Sequence, residues 1–271
     1  MRRNSISTPS PRGIAAAAVV GFLLLTLPIA ALLVRMPWSA LADIVTDESN
    51  RTALLLSLRT SLLATVLSVI VGIPIAYVIA HHNFPGARII RALCVLPMVL
   101  PPVVGGVALI YVLGKNGVVG QYLWEWFGIR LAFTESAAVL AQFFVAAPFF
   151  IVVMESAFTS LDPSIVGVSR TLGARPWYAL LRVELPMLLP AFIAGVVLTW
   201  ARALGEFGAT ITFAGNTEGR TQTLPLAVYS ALESGSDAAL LLSFLLIVVS
   251  FAVLVALRSH WTTGISHRRA S

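Results

Sequence analysis

Six long apolar runs separated by short polar segments dominate the chain. The runs cover residues 14–34, 52–80, 89–113, 135–158, 187–204 and 238–257. A helix rises 1.5 Å per residue and needs about 20 apolar residues to cross about 30 Å of hydrocarbon, and each run reaches or approaches that length. The pattern predicts an all-α polytopic membrane protein with six transmembrane helices.

The polar segment between the fourth and fifth runs, residues 160–186, carries the signals of a short helix. Asp162 can accept the first free amide protons of a helix, and Pro163 suits the first helical position. Gly173 provides an end. We therefore predict a helix at about 162–174. From these residues alone it is either an amphipathic helix lying on the lipid surface or a docking surface for another protein.

Composition indicates the class of protein, and the distribution of charge indicates its orientation in the membrane. The 271 residues are 58% hydrophobic and only 11% charged, with mean hydropathy +0.90, which excludes an ordinary soluble domain. Eleven of the 18 cationic residues lie on the N-terminal side of the predicted spans and five on the other side. By the positive-inside rule both termini are cytoplasmic. The net charge of +6 then indicates topology and contact with anionic lipid, not nucleic-acid binding.

These features divide the chain into a disordered N-terminus (1–13), a transmembrane domain (14–258) and a cytoplasmic C-terminal tail (259–271). No constellation typical of an enzyme is present. The only lysine, Lys115, lacks the glycine and hydroxyl neighbours of a P-loop, so ATP has to be handled by another chain. His81 and His82 fall in a short inner loop, where solvated rings are expected and a metal site is not.

Two features inside the predicted spans are candidates for the transport pathway. Pro101 and Pro102, followed by Gly105 and Gly106, let the third span bend or unwind, and the exposed backbone should face protein or a watery path. Arg202 and Glu206 stand four residues apart on one helical face near the outer end of the fifth span and should pair and point inward. Close helix packing is an alternative explanation of the proline and glycine cluster. The Arg202–Glu206 pair is either a latch of the gate or a contact that only fixes the helix register.

Two motifs resemble those of permease subunits of bacterial ABC importers. Gly173, nine further residues, then Val183, Leu185 and Pro186 resemble the Gly-x9-Ile-x-Leu-Pro core of their coupling helix, although the usual Glu-Ala-Ala triplet is replaced by residues 167–169. Residues 203–216, which include the run Gly-Glu-Phe-Gly-Ala-Thr-Ile-Thr-Phe, resemble molybdate and tungstate importer permeases. The likeness extends over about 54–257.

The resemblance implies a MetI-like core of the type I ABC importers and a homodimer in the bacterial cytoplasmic membrane. It also implies two cytoplasmic ATPase subunits that bind ATP and Mg²⁺, an extracytoplasmic oxyanion-binding protein, surrounding membrane lipid, and no cofactor, metal site or catalytic residue in this chain. A sulfate or thiosulfate permease is the alternative substrate class. A secondary carrier working without ATP is the alternative of another class, but it predicts matching ionisable groups in two repeated halves.

The resemblance and the residue patterns together give two groups of candidate site residues. The ATPase-coupling group is Asp162, Pro163, Gly167, Ser169, Arg170, Thr171, Leu172, Gly173, Ala174, Leu185 and Pro186. The pathway and gate group is Pro101, Pro102, Gly105, Gly106, Arg202, Glu206, Gly208, Thr210 and Thr212.

Overall fold

A computed structural model describes residues 12–82, 85–235 and 237–266 of the chain. Apart from short connections, these residues form α-helices, as predicted. The helices are α1 (Arg12–Val34), α2 (Leu41–Thr46), α3 (Glu48–His81), α4 (Ala87–Val99), α5 (Pro102–Leu113), α6 (Gly120–Phe127), α7 (Glu135–Ser160), α8 (Pro163–Thr171), α9 (Pro176–Ala179), α10 (Leu185–Met187), α11 (Leu189–Leu204), α12 (Gly208–Phe213), α13 (Leu224–Glu233) and α14 (Ala238–Ser266). A 3₁₀ turn covers Trp38–Ala40, and a π-helical segment, Leu180–Glu184, joins α9 to α10.

The predicted spans map onto these helices, with differences at their ends. In the described part of the chain, α1, α3 and α7 are each long and apolar enough to cross a membrane. The count rises to five if two bent pairs, α4 with α5 and the helices on either side of Leu188, are each one span. The predicted sixth span begins with α14 at Ala238, but the apolar stretch assigned to it, Ala238–Val253, is shorter than the roughly 20 residues that a span needs. That span therefore stays a prediction. Helix α1 begins at Arg12, inside the predicted 1–13 terminus, and residues 1–11 lie outside the described residues.

The central packing unit is α3 against α7. The buried face of α3 carries mostly small side chains, which let the two helices approach closely. Some of its hydroxyls bond within the helix, since Thr60 donates to the Leu56 carbonyl at 2.8 Å and Ser68 to the Ala64 carbonyl at 2.7 Å. Phe150 and Met154 of α7, both fully buried, centre an apolar cluster that also holds Leu188 and the inner part of α3.

The third predicted span is broken, as the proline and glycine pattern indicates. Helices α4 and α5 meet at an angle of 116°. Leu100 ends α4 in an extended conformation, and Pro102 opens α5 at a position where its missing N–H costs nothing. A second bend, of 82°, lies at Leu188 and separates the segment Pro176–Met187 from α11. These two breaks set the positions of the candidate site residues described next.

Candidate coupling surface and transport pathway

Helix α8 forms where the sequence predicts the coupling helix, and its start is fixed by a side-chain cap. Asp162 is extended, and its Oδ1 accepts the backbone N–H of Ser164 at 2.9 Å. Hydrogen bonding from the backbone N–H and the hydroxyl of Ser164 holds the pKa of the Asp162 carboxyl below its ordinary value of 3.8. Pro163 occupies the first helical position. The beginning of α8 is therefore determined by two adjacent residues.

The end of α8 is a Schellman motif built on Gly173. The N–H of Gly173 donates to the Arg170 carbonyl at 2.9 Å, and the N–H of Ala174 donates to the Ser169 carbonyl at 3.0 Å. Gly173 has φ +85°, a left-handed conformation that favours glycine. Thr171, in the last turn, donates its hydroxyl to the Val168 carbonyl at 2.8 Å. The helix is thus closed locally at both ends.

One face of α8 and the residues after it form an exposed apolar surface, which we call the coupling surface. Leu172 is 83% exposed, and Val168, Trp177 and Tyr178 are each at least 60% exposed. A hollow of about 460 Å³ lies between α8 and the π segment, lined by residues from Ser169 to Val183. An apolar patch next to a hollow is typical of a protein interaction site.

The other predicted coupling residues lie around this surface or behind it. Gly167 is exposed, and a Cβ there would meet no atom within 4 Å, so the position normally held by glutamate is open space. Val166, at 8% exposure, is the buried residue of α8. Leu185 packs against the apolar cluster around Phe150, whereas Pro186 is exposed in α10. Leu185 therefore belongs to the support of the coupling surface and not to the surface itself.

Helix α5 packs on α12. This contact brings together the predicted pathway residues of the two helices, which are far apart in sequence. A Cβ on Gly106 would lie 2.6 Å from the Cβ of Thr212, and a Cβ on Gly208 would lie 2.8 Å from the Cβ of Pro102. Glycine is the only residue that permits both contacts without a shift. Gly105 packs similarly on Phe144, where a Cβ would lie 3.0 Å from a ring carbon.

This packing separates the roles of the pathway residues. Gly105 and Gly106 are buried between helices, so they do not line open space within the chain. Pro101 and Pro102 are exposed beside the break. Thr212 donates its hydroxyl to the Gly208 carbonyl at 2.8 Å, whereas the buried Thr210 hydroxyl has no partner among the described residues. A pathway function for the prolines and Thr210 stays a prediction.

Arg202 and Glu206 pair as predicted, with Nη1 to Oε2 at 2.7 Å. The side chain of Glu206 is 1% exposed and that of Arg202 27%. The expectation that both stand on one helix needs correction, because α11 ends at Leu204 and Glu206 lies in the break before α12. There its Oε1 accepts the N–H of Ala209 at 2.8 Å. Glu206 thus ties the end of α11 to the start of α12.

Sequence reasoning missed the contact between His81 and Glu184 at the inner end of α3. His81 was expected in a loop with a solvated ring, but it lies in the last turn of α3, stacked on Tyr77. Its Nε2 is 3.2 Å from Oε2 of Glu184, whose side chain is fully buried. No local pattern links residues this far apart in sequence, and the buried carboxylate in an apolar segment was the one available signal.

A second missed pair joins α4 to α7. Nε of Arg91 lies 2.5 Å from Oε1 of Glu155, and the side chain of Glu155 is only 15% exposed. Helix α4 has no buried residues, and this ion pair links it to α7. In the described residues no group of three or more histidine, cysteine or acidic side chains could hold a metal ion.

These features define a class of membrane transport subunit, and comparison with known proteins gives the family. The family model described as "Binding-protein-dependent transport system inner membrane component" matches residues 68–268. The chain belongs to this family and is a multi-pass membrane protein. The resemblance read from its motifs is confirmed.

Named relatives extend this similarity over nearly the whole chain. The Molybdenum transport system permease protein ModB of Mycobacterium tuberculosis is 43% identical over 261 residues, covering 96% of this chain and 98% of the relative. The ModB of Escherichia coli K12 is 38% identical and covers 84% of this chain and 99% of the relative.

A solved bacterial alginate ABC transporter, in complex with its alginate-bound periplasmic protein, matches with a TM-score of 0.72 at 16% identity. That match covers 90% of this chain and 92% of the transporter chain. The MetNI methionine ABC transporter matches with a TM-score of 0.59 at 18% identity, covering 80% and 99%. At these identities the likeness establishes the fold, and the MetI-like core is confirmed.

Proposed function

We propose that this chain is the transmembrane subunit of an ATP-driven importer of molybdate or tungstate. One observation carries the proposal: the likeness to a molybdenum permease spans 96% of the chain. Helix α8, capped at its start by Asp162, supports it, because it lies where the sequence predicts the coupling helix. In this proposal the chain acts as a homodimer, two cytoplasmic ATPase subunits supply the work, and an extracytoplasmic oxyanion-binding protein delivers the cargo.

The coupling surface is the site at which the ATPase binds. Its exposed leucine, valine and aromatic side chains follow α7 on the side where eleven of 18 cationic residues cluster, which is the cytoplasmic side by the positive-inside rule. Apolar side chains on a capped helix fit a groove of a partner protein. Because hydrogen bonds fix both ends of α8, the helix can move as a unit with the ATPase without unwinding at its ends.

The ATPase subunits bind ATP and Mg²⁺, and their closure brings the two coupling helices of the dimer together. The rest of this chain converts that movement into alternating access. The bend between α4 and α5 and the break between α11 and α12 are two of the places where the backbone changes direction. Both lie at the contact of α5 with α12, so one hinge region serves both.

Helix α1 lies at the surface of the helical bundle. None of its apolar stretch is buried within the chain. A single span surrounded by so little protein is available for a second copy or for lipid.

The proposal is tested by uptake of labelled molybdate into vesicles that contain this chain, its ATPase and the receptor. We expect ATP-dependent uptake that excess tungstate suppresses and excess sulfate leaves unchanged. Suppression by sulfate and not by tungstate would assign the chain to the sulfate class. Uptake of neither oxyanion by an assembled, ATP-hydrolysing complex would refute the proposal.

A further inference from the structure

Helix α6 carries an exposed cluster of aromatic rings on one face. Tyr122, Trp126 and Phe127 are 47%, 72% and 67% exposed. The ring centroids of Tyr122 and Trp126 lie 5.4 Å apart, and those of Trp126 and Phe127 lie 6.5 Å apart. At about 100° per residue, Gln121 and Glu125 fall on roughly the opposite side of the helix. Helix α6 is therefore amphipathic, and its apolar face is aromatic.

Helix α6 lies on the side of the membrane opposite the coupling surface. The segment after α6 leads into α7, which is long and apolar enough to cross the membrane and which ends directly before α8. Because α8 carries the coupling surface, α6 and the beginning of α7 lie on the other side. The beginning of a span marks the level of the lipid headgroups, so α6 is close to the outer headgroup region.

The side chains in and around α6 suit that region. Tryptophan and tyrosine are enriched where hydrocarbon meets the headgroups, because each joins an apolar ring to a polar group. Lys115 before α6 and Arg130 after it line one cavity of about 380 Å³, in which the described lining residues include no acid. Nζ of Lys115 lies 4.7 Å from the ring centroid of Trp124, which holds a positive charge beside the helix. Lipid phosphates carry the complementary charge.

Both ends of the α6 segment are tied to the helices beside the bend in the third span. Gly120 lies so close to the end of α5 that a Cβ on it would collide with the carbonyl oxygen of Gly114. The same carbonyl accepts the N–H of Gly117 at 2.8 Å. On the other side of α6, the N–H of Phe133 donates to the carbonyl of Phe213, the last residue of α12, at 3.1 Å. The depth of α6 therefore sets the depth of the outer ends of α5 and α12.

We propose that α6 is a membrane-surface helix whose aromatic face inserts into the outer leaflet, with Lys115 and Arg130 at the level of the lipid phosphates. The partner of this face is phospholipid, which already surrounds the membrane-spanning helices next to it. By its ties to α5 and α12, α6 keeps the contact of Gly106 with Thr212 at one depth in the membrane. The inference depends on neither the cargo nor the ATPase.

Nitroxide spin labels on single cysteines test the position of α6 in the assembled transporter in phospholipid vesicles, with Cys94 replaced by serine. One label is attached to Trp126→Cys on the aromatic face, and the matched control to Glu125→Cys, its neighbour on the polar side. Collisions of each label with oxygen, which concentrates in hydrocarbon, are compared with collisions with a nickel chelate, which stays in water. Without receptor, we expect the oxygen-to-chelate ratio at Trp126→Cys to exceed that at Glu125→Cys by about threefold or more.

The same measurement recognises the other environments of the aromatic face. Chelate collisions as frequent at Trp126→Cys as at Glu125→Cys would place the face in water and overturn the proposal. Few collisions with either reagent would place the face against protein and would also overturn it. In that case a second copy of the chain covers the face, or the receptor does if the loss of collisions requires added receptor.

A label on Tyr111→Cys, near the outer end of α5 and 73% exposed in the native residue, tests whether α6 holds α5 at its depth. Trp126→Asp should shift the oxygen-to-chelate ratio of this label, because the charged side chain leaves the hydrocarbon and α5 follows. Trp126→Phe keeps an apolar ring and should leave the ratio unchanged. The same ratio in all three proteins would refute the anchoring of α5. If Trp126→Asp does not assemble, Phe127→Ser gives the same comparison with a smaller expected shift.

Discussion

Gly106 of α5 packs so closely on Thr212 of α12 that a single added carbon would lie 2.6 Å from the threonine Cβ. The same added carbon would lie 2.9 Å from the backbone carbonyl oxygen of Ala209, which cannot rotate away. The contact therefore fixes the spacing of the two helices beside the bend in the third span. Glycine is needed at this contact because it has no side chain, and not because its backbone is flexible.

Gly106→Ala should force α5 and α12 apart. Overpacking of this kind costs about 1–3 kcal/mol, so we expect a lower unfolding temperature and reduced uptake. Gly21→Ala in α1, where no atom lies within 4 Å, is the matched control and should leave both unchanged. Equal behaviour of the two variants in a thermal unfolding assay would contradict the close contact.

Substitution of Arg202 and substitution of Glu206 should affect the stability of the protein to different extents. Arg202→Met leaves a carboxylate that is 1% exposed without its cation, which costs about 3–5 kcal/mol. Glu206→Gln keeps an oxygen to accept the Ala209 N–H and leaves behind the more exposed arginine. We expect Arg202→Met to be the less stable variant and Glu206→Gln to alter the basal rate of ATP hydrolysis. Unchanged hydrolysis and unchanged stimulation by loaded receptor would make the pair purely structural.

Gly173→Glu should release the ATPase. An L-residue in the left-handed conformation costs about 1–2 kcal/mol, and the carboxylate also enters the coupling surface. Gly173→Asn is the control, because asparagine tolerates this conformation and carries no charge. Co-purification of the ATPase should be lost with glutamate and kept with asparagine. Recovery of the ATPase at the wild-type level with glutamate would mean that α8 is not the docking site.

Protonation of Asp162 should loosen the start of α8. Its pKa is lowered in the folded chain, so its contribution to stability is fully present above the unfolded-state value and is lost as the pH falls through the folded-state value. Asp162→Asn keeps an acceptor at every pH, so it should not show this loss. The measurement is amide hydrogen exchange of α8, corrected for intrinsic rates, across the acidic range. A parallel acid response in both proteins would exclude the carboxylate as its cause.

Local features were predictable from the sequence, and tertiary ones were not. The caps of α8 rest on adjacent residues, and the bend after Leu100 follows from proline chemistry, so both could be predicted. The pairing of Arg202 with Glu206 followed from their spacing, and the apolar run 187–204 ends at the same residue as α11. The hydrogen bond from the Ala209 N–H of α12 to Glu206 did not follow from either.

Contacts between distant segments lay beyond any pattern in one sequence. The packing of Gly106 on Thr212 and the pairing of His81 with Glu184 depend on how whole helices dock. His81 was expected in a loop because the sequence turns polar there, yet α3 continues through it, and the ring is held by Tyr77 and Glu184. Tertiary contact overrode the local signal.

The central claim is that this chain moves its cargo only when an ATPase acts on the coupling surface. The most direct measurement is molybdate uptake into vesicles with the ATPase present, with it omitted, and with Leu172→Asp on the coupling surface. Val118→Asp, on another exposed apolar residue outside that surface, serves as control. We predict uptake only in the complete wild-type and Val118→Asp vesicles. Uptake at full rate without the ATPase would contradict the account.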